Sequence, residues 1–82
     1  MSINVIKYFI KKGATMELSK NLKRLRENAE ITQIELAEKI NVSQSAIALF
    51  EAGTKIPSVA IVIRIADVFE CTVDELLGRR VS

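Results

Sequence analysis

The polar side chains of this 82-residue sequence are suited to hydrogen bonding rather than to catalysis. The sequence has no histidine and a single cysteine, Cys71. It can therefore form no internal disulfide and no Cys/His zinc site, and it offers no imidazole for acid–base work. It also lacks a glycine-rich phosphate loop and a nucleophile–base pair. We expect no enzyme, no cofactor and no metal, and the lone cysteine favours a cytoplasmic setting.

The hydroxyl and carboxylate side chains occur at the spacing of helix caps. Residues 32–35, with the sequence TQIE, form a capping box in which the Thr32 hydroxyl and the Glu35 carboxylate each accept from the other residue's backbone N–H. Residues 72–75, TVDE, repeat the pattern. Ser43 and Ser58 are also of a type preferred at helix N-caps. Four helix starts are therefore predicted.

The remaining composition supports an all-α fold in one domain. Apolar residues make up 49% of the chain, with only four aromatics, three glycines and one proline, which favours helices packed on helices. An apolar stripe at helical spacing predicts the first helix from Leu18, Leu22, Leu25 and Ala29. The caps predict further helices over residues 33–40, 44–52 and 59–69, and a short one after Thr72. No apolar run is long enough to span a bilayer.

Two residues are suited to the turns that separate these helices. Asn41 tolerates a left-handed backbone, so Asn41-Val42-Ser43 is expected to form a tight turn. Gly53 can close the third helix with a left-handed cap, and Pro57 disfavours helical structure at the residue before it. The second and third helices are thus joined by a turn short enough to hold them at a defined angle.

The segment from Thr32 to Gly53 resembles the helix-turn-helix of the phage-repressor (Cro-like, or XRE) family in the sequence TQIELAEKINVSQSAIALFEAG. Ala37 matches the small residue at the closest approach of the two helices, and Val42, Ile47 and Phe50 match buried positions. The likeness extends over residues 18–78. It implies a five-helix repressor-like domain, with a salt bridge between Arg26 and Glu51 joining the first and third helices.

The same resemblance implies double-stranded DNA as the partner, with the third helix in the major groove. Gln44 is then the leading base-contacting residue, because its amide can donate and accept at the N7 and N6 edge of adenine. Ser45 could contact a base or a phosphate. Backbone contacts are expected from the residues at the helix starts and the following loop, namely Thr32, Gln33, Ser43 and Lys55. Each of these could instead be a cap or a solvated side chain.

The third helix departs from the family in being unusually apolar. Leu49 and Ala52 stand where polar or basic residues commonly contact bases and backbone, and Ala48 is small and apolar. Leu49 could still contact a thymine methyl group, but it could equally belong to a protein-binding surface. The net charge of +2 adds little, since residues 16–82 carry nine basic and ten acidic side chains, a net charge of −1. Any DNA binding must use local patches.

A homodimer is expected, because one recognition helix covers only a few base pairs and two half-sites about 34 Å apart give useful specificity. The predicted fourth helix carries more apolar residues than one core-facing stripe needs. Ala60 and Ile61, where family members often have polar residues, are the expected dimer contact. They could instead enlarge the core.

Residues 1–15 precede the region of resemblance and fit either a strand or a helix. Family members often begin near Met16, and Lys12-Gly13-Ala14 could be encoded by a purine-rich ribosome-binding sequence. We therefore expect that Met16 is the native start, with the domain at 16–78 and a tail at 79–82.

Two functions from different classes remain. The first is a sequence-specific transcriptional regulator, a repressor that acts as a dimer. The second is a protein-interaction module of the same fold, such as an antitoxin or anti-regulator, for which Leu49 and Ile61 are the supporting residues.

Overall fold

The computed structural model describes residues 14–78, with side chains from residue 17 onward. Within that range the chain forms five helices, which are α1 (Ala14–Asn28), α2 (Gln33–Ile40), α3 (Gln44–Ala52), α4 (Val59–Val68) and α5 (Val73–Leu76). No strand occurs in the described part of the chain. The all-α prediction is confirmed. Most of the predicted N-terminal extension, and the tail from residue 79, lie outside the described residues.

The helices begin where the caps predicted. Thr32 and Thr72 each form a complete capping box, and Ser43 and Ser58 each accept from the backbone N–H three residues ahead. The first helix begins at Ala14, ahead of its apolar stripe, and α4 ends at Val68, one residue before the predicted end. Phe69 is the C-cap of α4 because the chain turns there into a left-handed residue.

The α2–α3 turn has the expected backbone. Asn41 adopts φ 57° and ψ 51°, and its N–H donates back to the last turn of α2. The Val42 N–H donates to the Ala37 carbonyl at 3.0 Å, which completes the turn. Ser43 then caps α3 directly. The two helices are therefore joined by three residues, and the hydrogen bonds of these residues restrict the angle between α2 and α3.

One core holds all five helices together. In it α3 packs against α1 and α2, α4 packs against α2 and α5, and α5 returns to α1. The buried apolar residues are Leu18, Leu22, Leu36, Ala37, Ile40, Ile47, Phe50, Val62, Ile65, Ala66, Leu76 and Leu77. Each helix contributes at least one of them, so the core positions the start of α3 relative to the start of α2.

Two polar side chains cap helix C-termini from a distance. The Arg64 Nη1 donates to the Ile40 carbonyl at 3.2 Å, and the Asn21 Nδ2 donates to the Leu76 carbonyl at 2.9 Å. These contacts satisfy carbonyls that a helix end otherwise leaves without an intrahelical partner. They tie α4 to α2 and α1 to α5.

Candidate nucleic-acid interface

The first turns of α2 and α3 form one polar surface, made by Thr32, Gln33, Ser43, Gln44 and Ser45. The side chain of Gln33 is half-buried and the other four are exposed. The Ser43 hydroxyl accepts from the Ala46 N–H at 3.0 Å, so the N-cap of α3 is made by the surface itself. Neither Gln44 nor Ser45 takes part in capping. Both side chains stand on the first turn of α3, where a groove-binding helix meets base edges.

A chain of side-chain hydrogen bonds joins the two helix starts. The Gln44 Nε2 donates to the Gln33 Oε1 at 2.7 Å, and the Gln33 Nε2 donates to the Glu51 Oε1 at 3.1 Å. From the sequence Gln33 is expected to contact a phosphate, and neither of these two contacts is predicted. The sequence signal that could have predicted the contact between Gln33 and Gln44 is the presence of a glutamine at the first position of both helices. The contacts hold the Gln44 amide in one place while leaving part of it unpaired.

This series of side-chain hydrogen bonds ends at the ion pair between Arg26 and Glu51. The Arg26 Nε and Nη2 donate to the two carboxylate oxygens at 2.6 and 3.0 Å, and the Nη1 donates to the Ile31 carbonyl at 2.9 Å. The side chains are only 12% and 4% exposed. The hydrogen bond to Glu51 raises the pKa of Arg26 above its ordinary value. Removing one member of such a pair costs roughly 3–5 kcal/mol, because the other charge is left buried.

Thr32 is engaged in its own capping box. Its hydroxyl oxygen accepts from the Glu35 N–H at 3.0 Å, and the Glu35 Oε1 accepts from the Thr32 N–H at 2.9 Å. Hydrogen bonding of the Glu35 carboxylate by the Thr32 backbone N–H, and then by the Thr32 side chain, lowers the pKa of Glu35. The cap of α3 uses the Ser43 hydroxyl only as an acceptor, so its hydrogen can donate outward. The Thr32 hydroxyl hydrogen can donate outward only in exchange for its hydrogen bond with Glu35.

Lys55 lies in the loop after α3, and its side chain is exposed. Its backbone N–H and that of Thr54 both donate to the Leu49 carbonyl, at 3.4 and 3.1 Å. The Thr54 hydroxyl donates to the same carbonyl at 3.3 Å. The loop is thus folded back onto the end of α3. This places the backbone of Lys55 beside the C-terminal end of that helix.

The exposed part of α3 beyond its first turn is apolar. Leu49 is 43% exposed, Ala52 is exposed and Ala48 is half-buried. Glu51, the one charged residue of α3, faces Arg26 instead of solvent. The surface that α3 offers therefore consists of an amide, a hydroxyl and small or branched hydrocarbon groups.

A second exposed apolar surface lies at the start of α4. It includes only one of the two residues predicted as the dimer contact. Ala60 is exposed, whereas Ile61 is half-buried and packs against the core. Val59 and Ile63, four residues apart on one helix face, are exposed, and so is Ile56 in the preceding loop. We call Ile56, Val59, Ala60 and Ile63 the α4 apolar face. Helical periodicity indicates that α4 has surplus apolar residues, and the packing of Val62, Ile65 and Ala66 into the core decides which of them remain exposed.

The described residues hold no group of three or more side chains that could ligate a metal. Burial raises the pKa of the Cys71 thiol, which opposes formation of the reactive thiolate. Among these residues no helix meets the length and hydropathy needed to cross a bilayer. The arrangement of the polar surface is suited to hydrogen bonding with a partner.

A family comparison agrees with this geometry. The model of a family described as helix-turn-helix matches residues 22–76, which include α2, α3 and the turn between them. The chain belongs to the XRE-type helix-turn-helix family. The resemblance noted in the sequence is therefore confirmed.

Curated relatives in this family are named as regulators. The transcriptional activator BcrR of Enterococcus faecalis is 39% identical over 63 residues, which cover 77% of this chain and 31% of the relative. The cryptic phage CTXphi transcriptional repressor RstR of Vibrio cholerae is 31% identical over 64 residues, 78% of this chain and 57% of the relative. The regulator ImmR of Bacillus subtilis is also 31% identical, with 50% of its length covered. The chain thus spans between about a third and somewhat over half of these relatives.

A solved structure has the same fold. A transcriptional regulator from Listeria innocua superposes with a TM-score of 0.73 at 29% sequence identity, covering 79% of this chain and 61% of that one. The likeness extends beyond the helix-turn-helix pair to most of the described helices. It supports the arrangement in which α1, α4 and α5 hold α2 and α3.

Proposed function

We propose that this domain is a sequence-specific double-stranded DNA-binding regulator that places α3 in the major groove. The observation that carries the proposal is the hydrogen bond from Gln44 to Gln33, 2.7 Å long, at the exposed start of α3. It orders a long, exposed side chain in advance and leaves its Oε1 and one N–H unpaired. An ordered donor–acceptor pair at this place in the fold is what reading a base edge requires.

The base contacts come from one side of α3. Gln44 presents an acceptor and a donor, which match the N6–H and N7 of adenine. Ser45, one residue further, is short and can donate to or accept from a neighbouring base. Leu49 is exposed one and a half turns later and meets a thymine methyl group. Together these residues favour a half-site with A·T pairs.

The backbone contacts come from the residues around α3. The hydroxyl hydrogens of Thr32 and Ser43 donate to phosphate oxygens, and Gln33 contacts a phosphate through the start of α2. Lys55 supplies a positive charge from the loop after α3. The start of α3 lacks an acidic residue in its first turn, which keeps that end of the helix favourable to a phosphate.

The regulator acts as a homodimer and a repressor. A two-fold pair of α3 helices on half-sites about 34 Å apart doubles the number of bases read. The α4 apolar face, which includes the exposed Ala60, offers hydrocarbon surface for the second copy, and the half-buried Ile61 follows Ala60 in the same helix. Repression by occluding a promoter needs only tight binding, and the name of the Vibrio relative supports it. A regulator of this kind acts in the cytoplasm.

A protein-interaction module is the second candidate, and exposed hydrocarbon favours it. Ile56 is 56% exposed and Ile34 is 59% exposed, in addition to Leu49. An antitoxin or anti-regulator would use such residues to hold another protein. This candidate predicts no preference among DNA sequences.

Selection of bound sequences from random duplexes separates the two functions. DNA reading predicts an enriched site made of two inverted half-sites one helical turn apart, whose affinity falls as salt rises. A single half-site would contradict the dimer. Absence of enrichment, together with no salt dependence, would contradict DNA binding and favour the protein-interaction module.

A further inference from the structure

The geometry points to Glu51 as a positioning residue that determines the orientation of the Gln44 side-chain amide toward the base. This role goes beyond the ion pair that joins α1 to α3, and it rests on the proposed function. Glu51 does not touch DNA in this account. It acts through Gln33, which lies between it and Gln44.

The first step is the direction of the hydrogen bond between Gln33 and Glu51. The Glu51 carboxylate accepts from two nitrogens of the Arg26 guanidinium, and it is almost fully buried. A carboxylate paired in this way is an acceptor only. Gln33 must therefore turn its Nε2 toward Glu51, as the 3.1 Å contact shows. The reversed amide would set two oxygens against each other.

The second step passes this direction on to Gln44. With its Nε2 on Glu51, Gln33 turns its Oε1 toward Gln44, and the Gln44 Nε2 donates to that oxygen at 2.7 Å. The two ends of a glutamine amide have nearly the same shape, so hydrogen-bond partners decide its orientation. The charge pair on Glu51 thereby determines that the Gln44 Oε1 stays free, together with one N–H.

The orientation of the Gln44 amide decides between the two purines. Adenine shows an acceptor at N7 and a donor at N6, whereas guanine shows acceptors at both N7 and O6. The orientation imposed through Gln33 gives Gln44 one donor and one acceptor, which fits adenine and sets oxygen against oxygen at guanine. A reversed amide would present both N–H groups to the base and fit guanine. Glu51 therefore selects adenine over guanine at the base pair read by Gln44.

The test uses the duplex that the wild-type domain selects and the same duplex with A·T changed to G·C at the position whose preference depends on Gln44. We expect the wild type to prefer adenine by roughly 5- to 150-fold. In Glu51→Gln the new amide can donate or accept, so Gln33 can turn either way. The preference should then fall to about threefold or less.

Two further variants keep the test decisive if Glu51→Gln folds poorly. Gln33→Met keeps the length of the side chain and the Arg26–Glu51 pair but removes the link, and it should lower the adenine preference in the same way. Asn21→Ala removes the contact with the Leu76 carbonyl and serves as a stability control. It should lower the melting temperature without changing the preference.

The outcomes separate this inference from the proposed function. An unchanged adenine preference in folded Gln33→Met would overturn the role of Glu51 and leave DNA binding intact. If this variant also bound both duplexes more weakly by the same factor, Gln33 would contact only a phosphate. Failure of the wild type to select any site would overturn the proposed function itself.

Discussion

Gln44 and Gln33 are eleven positions apart in the chain, yet a single 2.7 Å hydrogen bond joins them at the starts of two helices. This contact makes the first turns of α2 and α3 one surface rather than two. The residue proposed to read a base is thereby attached to the residue proposed to contact a phosphate. Under the proposed function, this contact would link direct readout to backbone positioning.

Lys55→Ala should weaken binding to all duplexes about equally. The ammonium group contacts a phosphate in this account, and a phosphate carries no sequence information. The slope of log K against log salt should become shallower by about 0.9 for each half-site. Titrations at several salt concentrations measure it. Lys20→Ala, which removes an exposed lysine of α1 outside the polar surface, serves as the control and should leave the slope unchanged.

Replacing thymine by uracil in the selected site should weaken binding at the position that faces Leu49. Loss of one methyl contact costs about 0.8 kcal/mol, or roughly fourfold in affinity. Leu49→Ala should bind the thymine duplex more weakly and become insensitive to the uracil substitution. Competition binding of the wild type and of Leu49→Ala to the thymine and the uracil duplexes measures the coupling between the side chain and the methyl group. Equal sensitivity in both proteins would show that Leu49 does not contact the methyl group.

The capping box of α2 should make stability depend on pH in the acid range. The pKa of Glu35 is lowered in the folded state by its hydrogen bonds to Thr32, so its contribution is present above its unfolded pKa of about 4.3. That contribution is lost as the pH falls through the lower folded pKa. Glu35→Gln should reduce the acid loss of stability, since Gln also serves in a capping box. Urea unfolding at pH 7 and pH 3 measures the difference.

Glu70→Gly should stabilise the domain. Glu70 has φ 52°, a left-handed conformation that costs a non-glycine residue roughly 1–2 kcal/mol, and glycine loses part of this gain through its unfolded-state entropy. We expect a net increase of about 0.5–1 kcal/mol in the free energy of unfolding. Urea titration measures it. Glu70→Ala is the matched control, because alanine retains the strain, and an equal gain there would contradict the conformational explanation.

The sequence predicted the helix boundaries well because the caps are local. Thr32, Ser43, Ser58 and Thr72 each bond a backbone N–H three residues ahead, so their effect can be read from neighbours alone. The turn at Asn41 was predictable for the same reason. Local hydrogen bonding thus accounts for most of what the sequence reveals about the fold.

Contacts between distant residues were not predictable in the same way. The Arg64 contact with Ile40 and the Asn21 contact with Leu76 span 24 and 55 positions, and only the packed core brings their partners together. The sequence left open whether Ile61 contacts a second copy or enlarges the core, because α4 has apolar residues on several faces, and in the structure Ile61 packs against the core. Periodicity shows that such a helix has surplus hydrocarbon, but packing decides which residues remain exposed.

Parallel selections with the wild-type domain and with Gln44→Ala test the central claim most directly. DNA reading by α3 predicts that both proteins enrich sites with two inverted half-sites, and that the variant loses an adenine preference at one position in each. The loss should amount to about 1–3 kcal/mol at that position. Identical preferences at every position in the two selections would contradict base reading by Gln44.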